Sequence, residues 1–156
     1  MNRQVFLPLV AALAITGFAS AASAHGDEKH FAAGKPGNPD EKSRTVEIVM
    51  KEGDGTMAFA PDRVEVKRGE QIRFVIKNAG ELKHEFMLAT LKENAKHGKL
   101  MEKFPDMEHA DPNGKTLEAG KSAEMLWKFT EAGTFEFACL VPGHHQAGMH
   151  GLVVVK

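Results

Sequence analysis

The chain has no tyrosine, one tryptophan and one cysteine among its 156 residues, and these shortages exclude several designs. A single thiol, Cys139, rules out an internal disulfide framework, so the fold has to be held by its own apolar core. Basic runs are missing as well. Lys and Arg number 20 against 21 Asp and Glu, for a formal net charge of -1, and no stretch gathers enough positive charge to follow a phosphate backbone. Nucleic acid is therefore not an expected partner. A composition that is 42% hydrophobic and 26% charged excludes a disordered chain, and the length fits one domain. Histidine, by contrast, is abundant: eight residues, the first compositional hint of metal chemistry.

Residues 1–24 read as a secretory signal peptide. Arg3 is their only charge, an apolar run extends from Val5 to Phe18, and the small residues Ala22, Ser23 and Ala24 precede the expected cleavage point. The uncharged stretch just reaches bilayer-spanning length, but its Ala, Ser and Gly content and its Ala-x-Ala ending favour cleavage. The expectation is a periplasmic protein with no membrane span after processing. A lone thiol in an oxidising compartment is a liability unless something occupies the sulfur, and a metal does so.

Residues 25–44 are polar, contain Gly, Pro and Asn, and lack an apolar period, which predicts a flexible His-containing arm. The folded domain is expected over residues 45–156. Val46, Ile48 and Met50 alternate with Glu47 and Lys51, Val64 and Val66 with Glu65 and Lys67, and Ile72, Phe74 and Ile76 with Arg73 and Lys77. Each alternation marks a strand with one buried face. Another strand is predicted from His84 to Leu91, followed by a polar insertion over residues 92–114 with a short helix near residues 93–104, interrupted by Gly98. Three strands close the chain, at residues 122–130, 134–140 and 151–156. Trp127 and the phenylalanines on alternating positions are expected in the core. Short strands joined by turns indicate an all-β protein built as a two-sheet antiparallel sandwich or barrel.

Parity locates the chemistry. Phe135 and Phe137 occupy apolar positions, so Cys139 shares their inward face at a strand end, and His84 shares the inner face of Phe86 and Leu88. His144 follows Cys139 by five residues and Met149 follows His144 by five, with Pro142, Gly143, Ala147 and Gly148 supplying turns between them. A thiolate, two imidazoles and a thioether form a soft three-plus-one set that suits a blue-copper electron-transfer site. Zinc accepts the first three but seldom a thioether. His145 competes with His144 by spacing alone.

The segment from Cys139 through Pro142, Gly143 and His144 to Met149, with Asn78 and His84 upstream, resembles the cupredoxins, the plastocyanin and azurin family of blue type 1 copper proteins. The resemblance spans roughly residues 45–156. It implies a Greek-key β-sandwich, one copper per chain, equatorial ligands His84, Cys139 and His144, and an axial Met149. Its Pro-Gly-His element favours His144 over His145. Two positions depart from familiar members: Glu85 stands where Asn follows the first His, and Leu140 stands where Ser or Thr often follows the Cys.

A site filled by four protein donors implies a non-enzymatic, monomeric electron carrier whose partner is a cytochrome or a copper enzyme. Leu140, Val141, Pro142 and Ala147 are expected to form an apolar docking patch around the His144 ring edge. The alternative is copper handling: an exported copper-tolerance protein that sequesters copper or passes it to a transfer partner. In that reading His25 and His30 form a second, weaker copper site, and His97, Met101, Met107 and His109 offer further soft donors.

Overall fold

The computed structural model describes residues 31–105, 107 and 110–156. In chain order its elements are β1 (Lys35–Pro36), β2 (Arg44–Gly53), β3 (Thr56–Ala60), β4 (Arg63–Val66), β5 (Gln71–Asn78), β6 (His84–Ala89), α1 (Leu91–Lys103), β7 (Gly114–Leu117), β8 (Ser122–Lys128), β9 (Gly133–Ala138) and β10 (His150–Val155). The strands form two 5-stranded sheets, ordered β1-β8-β5-β2-β3 and β4-β10-β9-β6-β7. Most neighbours are antiparallel, but β2 with β5 and β4 with β10 run parallel. After β3 the chain leaves the first sheet for β4 and returns to lay β5 beside β2, which makes each sheet mixed.

The predicted alternations bury as expected. Ile48, Met50, Ile72, Phe74, Ile76, Met125 and Trp127 from one sheet meet Val64, Val66, Phe86, Leu88, Phe135, Phe137 and Val153 from the other. Phe86 stacks on Phe137 at 5.2 Å between ring centroids, and Phe59 sits edge-on to both. Such ring pairs add about 0.5–1.5 kcal/mol each beyond the area they bury.

Strand β6 breaks the alternation, since every residue from His84 to Leu88 is buried. The cause is α1, which packs on the outer face of β6 and β9 and closes a small cluster of Met87, Met101, Ala138 and Leu140. The helix begins at a capping box: Thr90 accepts the Glu93 N–H, and the Glu93 carboxylate accepts the Thr90 N–H. Gly98 lies within the helix and does not interrupt it. Strand β7 pairs with β6 just past the insertion, setting Leu117 opposite His84. No helix among the described residues is long and apolar enough to cross a membrane.

Packing also extends upstream of Thr45. Phe31 meets Trp127 edge-on at 5.4 Å, the Trp127 indole N–H donates to the Ala33 carbonyl at 3.1 Å, and β1 pairs with β8. Gly34 permits this approach: its φ is +125°, and a Cβ there would sit 2.1 Å from the Lys128 carbonyl oxygen. Residues 31–44 of the expected arm therefore lie against the first sheet. The remaining arm residues, His25 and His30 among them, and the signal segment lie outside the described residues.

Candidate metal centre

Three strand ends and one loop build the site. His84 opens β6, Cys139 directly follows β9, and the loop from there to β10 carries His144 and Met149. That loop is stitched by its own backbone. His144 N–H donates to the Val141 carbonyl, Ala147 N–H to Gly143, and Gly148 N–H to His145. Gly143 and Gly148 turn the chain with φ of +88° and +101°. Its two ends close on each other: Cys139 N–H donates to the Met149 carbonyl at 3.0 Å and Met149 N–H to the His144 carbonyl at 3.1 Å. Met149 is fully buried and belongs to the same core cluster as Cys139.

The donor atoms of His84, Cys139 and His144 converge. His84 Nδ1 and His144 Nδ1 are 3.2 Å apart, and Cys139 Sγ lies 3.3 Å from His144 Nδ1 and 4.0 Å from His84 Nδ1. A point in their plane equidistant from all three lies about 2.1 Å from each, within the roughly 2.0–2.3 Å reach of imidazole and thiolate bonds to a metal. Among the described residues this is the only group of three or more His, Cys, Asp or Glu donors close enough to share one ion. The donor set fits copper in its chemistry as well as its dimensions.

Burial sets the protonation of these donors. It pushes the Cys139 thiol up to about 12, against the opposing N–H groups of Glu85 and Val141. A metal bound there would displace the thiol proton, so binding would release it. Burial also lowers the His144 imidazole below its ordinary value, assisted by His84, which favours the neutral ring a metal needs.

Polar side chains hold the framework. Asn78, fully buried, donates to the carbonyls of Leu82 and Leu117 and accepts the Gly80 N–H, fixing the loop that leads into His84. Glu85 donates its backbone N–H to Cys139 Sγ at 3.2 Å, while its carboxylate accepts the Leu140 N–H at 3.3 Å. The residue that departs from the family pattern thus ties the segments carrying His84 and Cys139 together. Glu52, which sequence reasoning did not single out, meets the far side of His84: its Oε1 lies 2.6 Å from His84 Nε2. Burial opposes ionisation of Glu52, but the N–H groups of Glu81 and Leu82 together with His84 outweigh it and hold the carboxyl below its ordinary value.

Other sequence candidates fall elsewhere. His145 turns away from Cys139, with Nε2 3.2 Å from Glu136 Oε1 and its ring stacked on His150 at 4.8 Å. Met101 is packed in the cluster under α1, whereas Met107 is exposed. His97 belongs to α1, and His109 lies outside the described residues. Leu140, expected on a docking patch, is buried beneath α1, leaving Val141, Pro142 and Ala147 nearer the surface.

Residues 46–156 match the family described as copper binding proteins, plastocyanin/azurin family. The chain is 47% identical over 135 residues to the copper-resistant cuproprotein CopI of Rubrivivax gelatinosus, covering 86% of this chain and 80% of that protein. It is 38% identical over 178 aligned positions to the copper-resistant cuproprotein CopI of Pseudomonas aeruginosa, covering 95% and 96% of the two. In fold it is similar to the reduced auracyanin of Roseiflexus castenholzii, at a TM-score of 0.60 and 23% identity over 74% of this chain and 99% of that one. With the family's match spanning most of its length and a copper-compatible donor triangle at the expected strand ends, the chain belongs to the plastocyanin/azurin family of copper-binding proteins.

Proposed function

We propose that the chain is a periplasmic one-electron carrier, exported by residues 1–24, with His84, Cys139, His144 and Met149 as the ligands of a single type 1 copper. The observation that supports this most is the triangle of donor atoms, with edges of 3.2, 3.3 and 4.0 Å. Copper held there supplies a one-electron change between Cu(I) and Cu(II). The protein's own part is to keep the donors still. The stitched loop and the Glu85 tie hold Cys139 and His144, Asn78 holds the approach to His84, and burial excludes water. Small rearrangement makes transfer fast. Four protein donors leave no open position for a substrate, so the reading is non-enzymatic.

His144, at 8% exposure, is the least buried of the four, whereas the other three are at 0%. Its ring edge is the proposed electron exit toward a cytochrome or copper enzyme, with Val141 and Pro142 beside it. Titrating the processed, monomeric chain with Cu(II) tests the reading. One equivalent with an intense visible band is expected, and a colourless titration overturns it.

A second reading, copper tolerance, is favoured by the two relatives named copper-resistant cuproproteins. Here the chain buffers periplasmic copper or passes it on, and His25 and His30 hold an additional ion. Removing residues 25–30 is then expected to lower bound copper from about two to one, and deleting the gene to make cells copper-sensitive. Unchanged stoichiometry dismisses the second site.

A further inference from the structure

Glu52 stands at the end of β2, 32 residues before His84 in sequence, yet its carboxylate closes on the ring's outer nitrogen at 2.6 Å. It is not a wandering surface side chain. Oε2 accepts the Glu81 N–H at 2.9 Å and Oε1 accepts the Leu82 N–H at 3.0 Å, so the carboxylate is anchored in the loop that leads into the ligand. Gly80 clears the space for it: a Cβ at that position would sit 2.3 to 2.5 Å from the three carboxylate atoms. His84 itself is fully buried, with Nδ1 facing Cys139 and His144.

We infer that Glu52 is the positioning residue for His84: it fixes the tautomer that presents Nδ1 to the metal and biases the centre toward Cu(II). The inference rests on the metal-centre reading above. An imidazole that donates Nε2–H to a carboxylate has its Nδ1 lone pair free and becomes a stronger donor. The anion also adds a negative charge across the His84 ring from the donor triangle, which favours the more highly charged ion. Both effects weigh on Cu(II) more than on Cu(I), so both lower the midpoint potential.

The test compares the natural chain with Glu52→Gln and Glu52→Asp in three measurements: Cu(II) and Cu(I) affinities, midpoint potential, and the ring-nitrogen NMR signals of His84 in the metal-free chain. Gln keeps an acceptor and the size of the side chain while removing the charge. The expected result is a Cu(II) affinity roughly 10- to 100-fold weaker with a smaller change for Cu(I). Each tenfold difference between the two raises the potential by about 59 mV. Glu52→Asp keeps the charge and is expected to recover part of the shift; if Gln prevents folding, the Asp variant and the His84 tautomer in the natural chain still decide. A coloured natural centre whose potential and His84 signals are unmoved in Glu52→Gln would show that Glu52 merely pins the loop, overturning the inference alone. A natural chain that binds Cu(II) without a thiolate band overturns the centre itself, an outcome read independently of any Glu52 variant.

Discussion

The backbone N–H of Glu85 points at the sulfur of Cys139 from 3.2 Å, across 54 residues of sequence. The Glu85 side chain reaches back to the same segment, accepting the Leu140 N–H. A main-chain donor on the sulfur survives substitution of the side chain, whereas the Leu140 contact does not. Glu85→Ala is therefore expected to leave the buried Leu140 N–H without its carboxylate and to destabilise the metal-free fold by about 1–3 kcal/mol. Its Cu(II) form should remain coloured. Denaturant unfolding and a visible spectrum check the two halves, and undiminished stability would refute the tie.

Cys139→Ala is expected to abolish the intense visible absorption of the Cu(II) form, because that band requires the thiolate. Persistence of the band would remove the sulfur from the site. Met149→Gln is expected to keep a coloured centre at a lower potential, since an amide oxygen is harder than a thioether and favours Cu(II). An unchanged voltammogram would argue against axial coordination.

Trp127 is the single tryptophan, and Phe31 packs edge-on against it. Phe31→Ala is expected to cost at least about 1 kcal/mol through the lost aromatic contact and to shift the emission of the indole to longer wavelength as water gains access. Fluorescence and thermal unfolding of the metal-free chain measure both. An unmoved emission maximum would mean that residues 31–33 do not shield the ring.

Arg44 holds the Glu70 carboxyl below its ordinary value by a 2.6 Å hydrogen bond from Nε, assisted by the Lys67 N–H. A depressed carboxyl stabilises the fold fully above the unfolded value near 4.5 and loses that contribution as pH falls through the folded value. Because both side chains are partly exposed, the pair contributes only about 0.5–1 kcal/mol. Glu70→Gln is thus expected to lower stability slightly at neutral pH and to soften the loss below pH 4.5. Equal acid sensitivity in both forms would contradict it.

Much of this protein was legible without coordinates. Alternation read the core-facing residues of β2, β4, β5 and β8 directly, since side-chain parity is a property of neighbouring residues. The five-residue intervals linking Cys139, His144 and Met149 also belong to one local loop. The helix was expected from residue 93 with a break at Gly98, whereas α1 starts at Leu91 from the Thr90 cap and runs through Gly98, because tertiary packing outweighs one glycine's propensity.

What the order of amino acids determined by itself was a β domain with a soft metal-binding loop at one end. The tertiary structure alone decided that Glu52 backs His84, that Glu85 grips Leu140, and that the segment from Phe31 covers Trp127. Their hydrogen bonds, between Glu52 and His84, Glu85 and Leu140, and Trp127 and Ala33, join residues 32 to 94 positions apart. Parity and turn spacing are set over a few residues, whereas a long-range hydrogen bond exists only once strand register and sheet pairing have brought its two ends to the same edge.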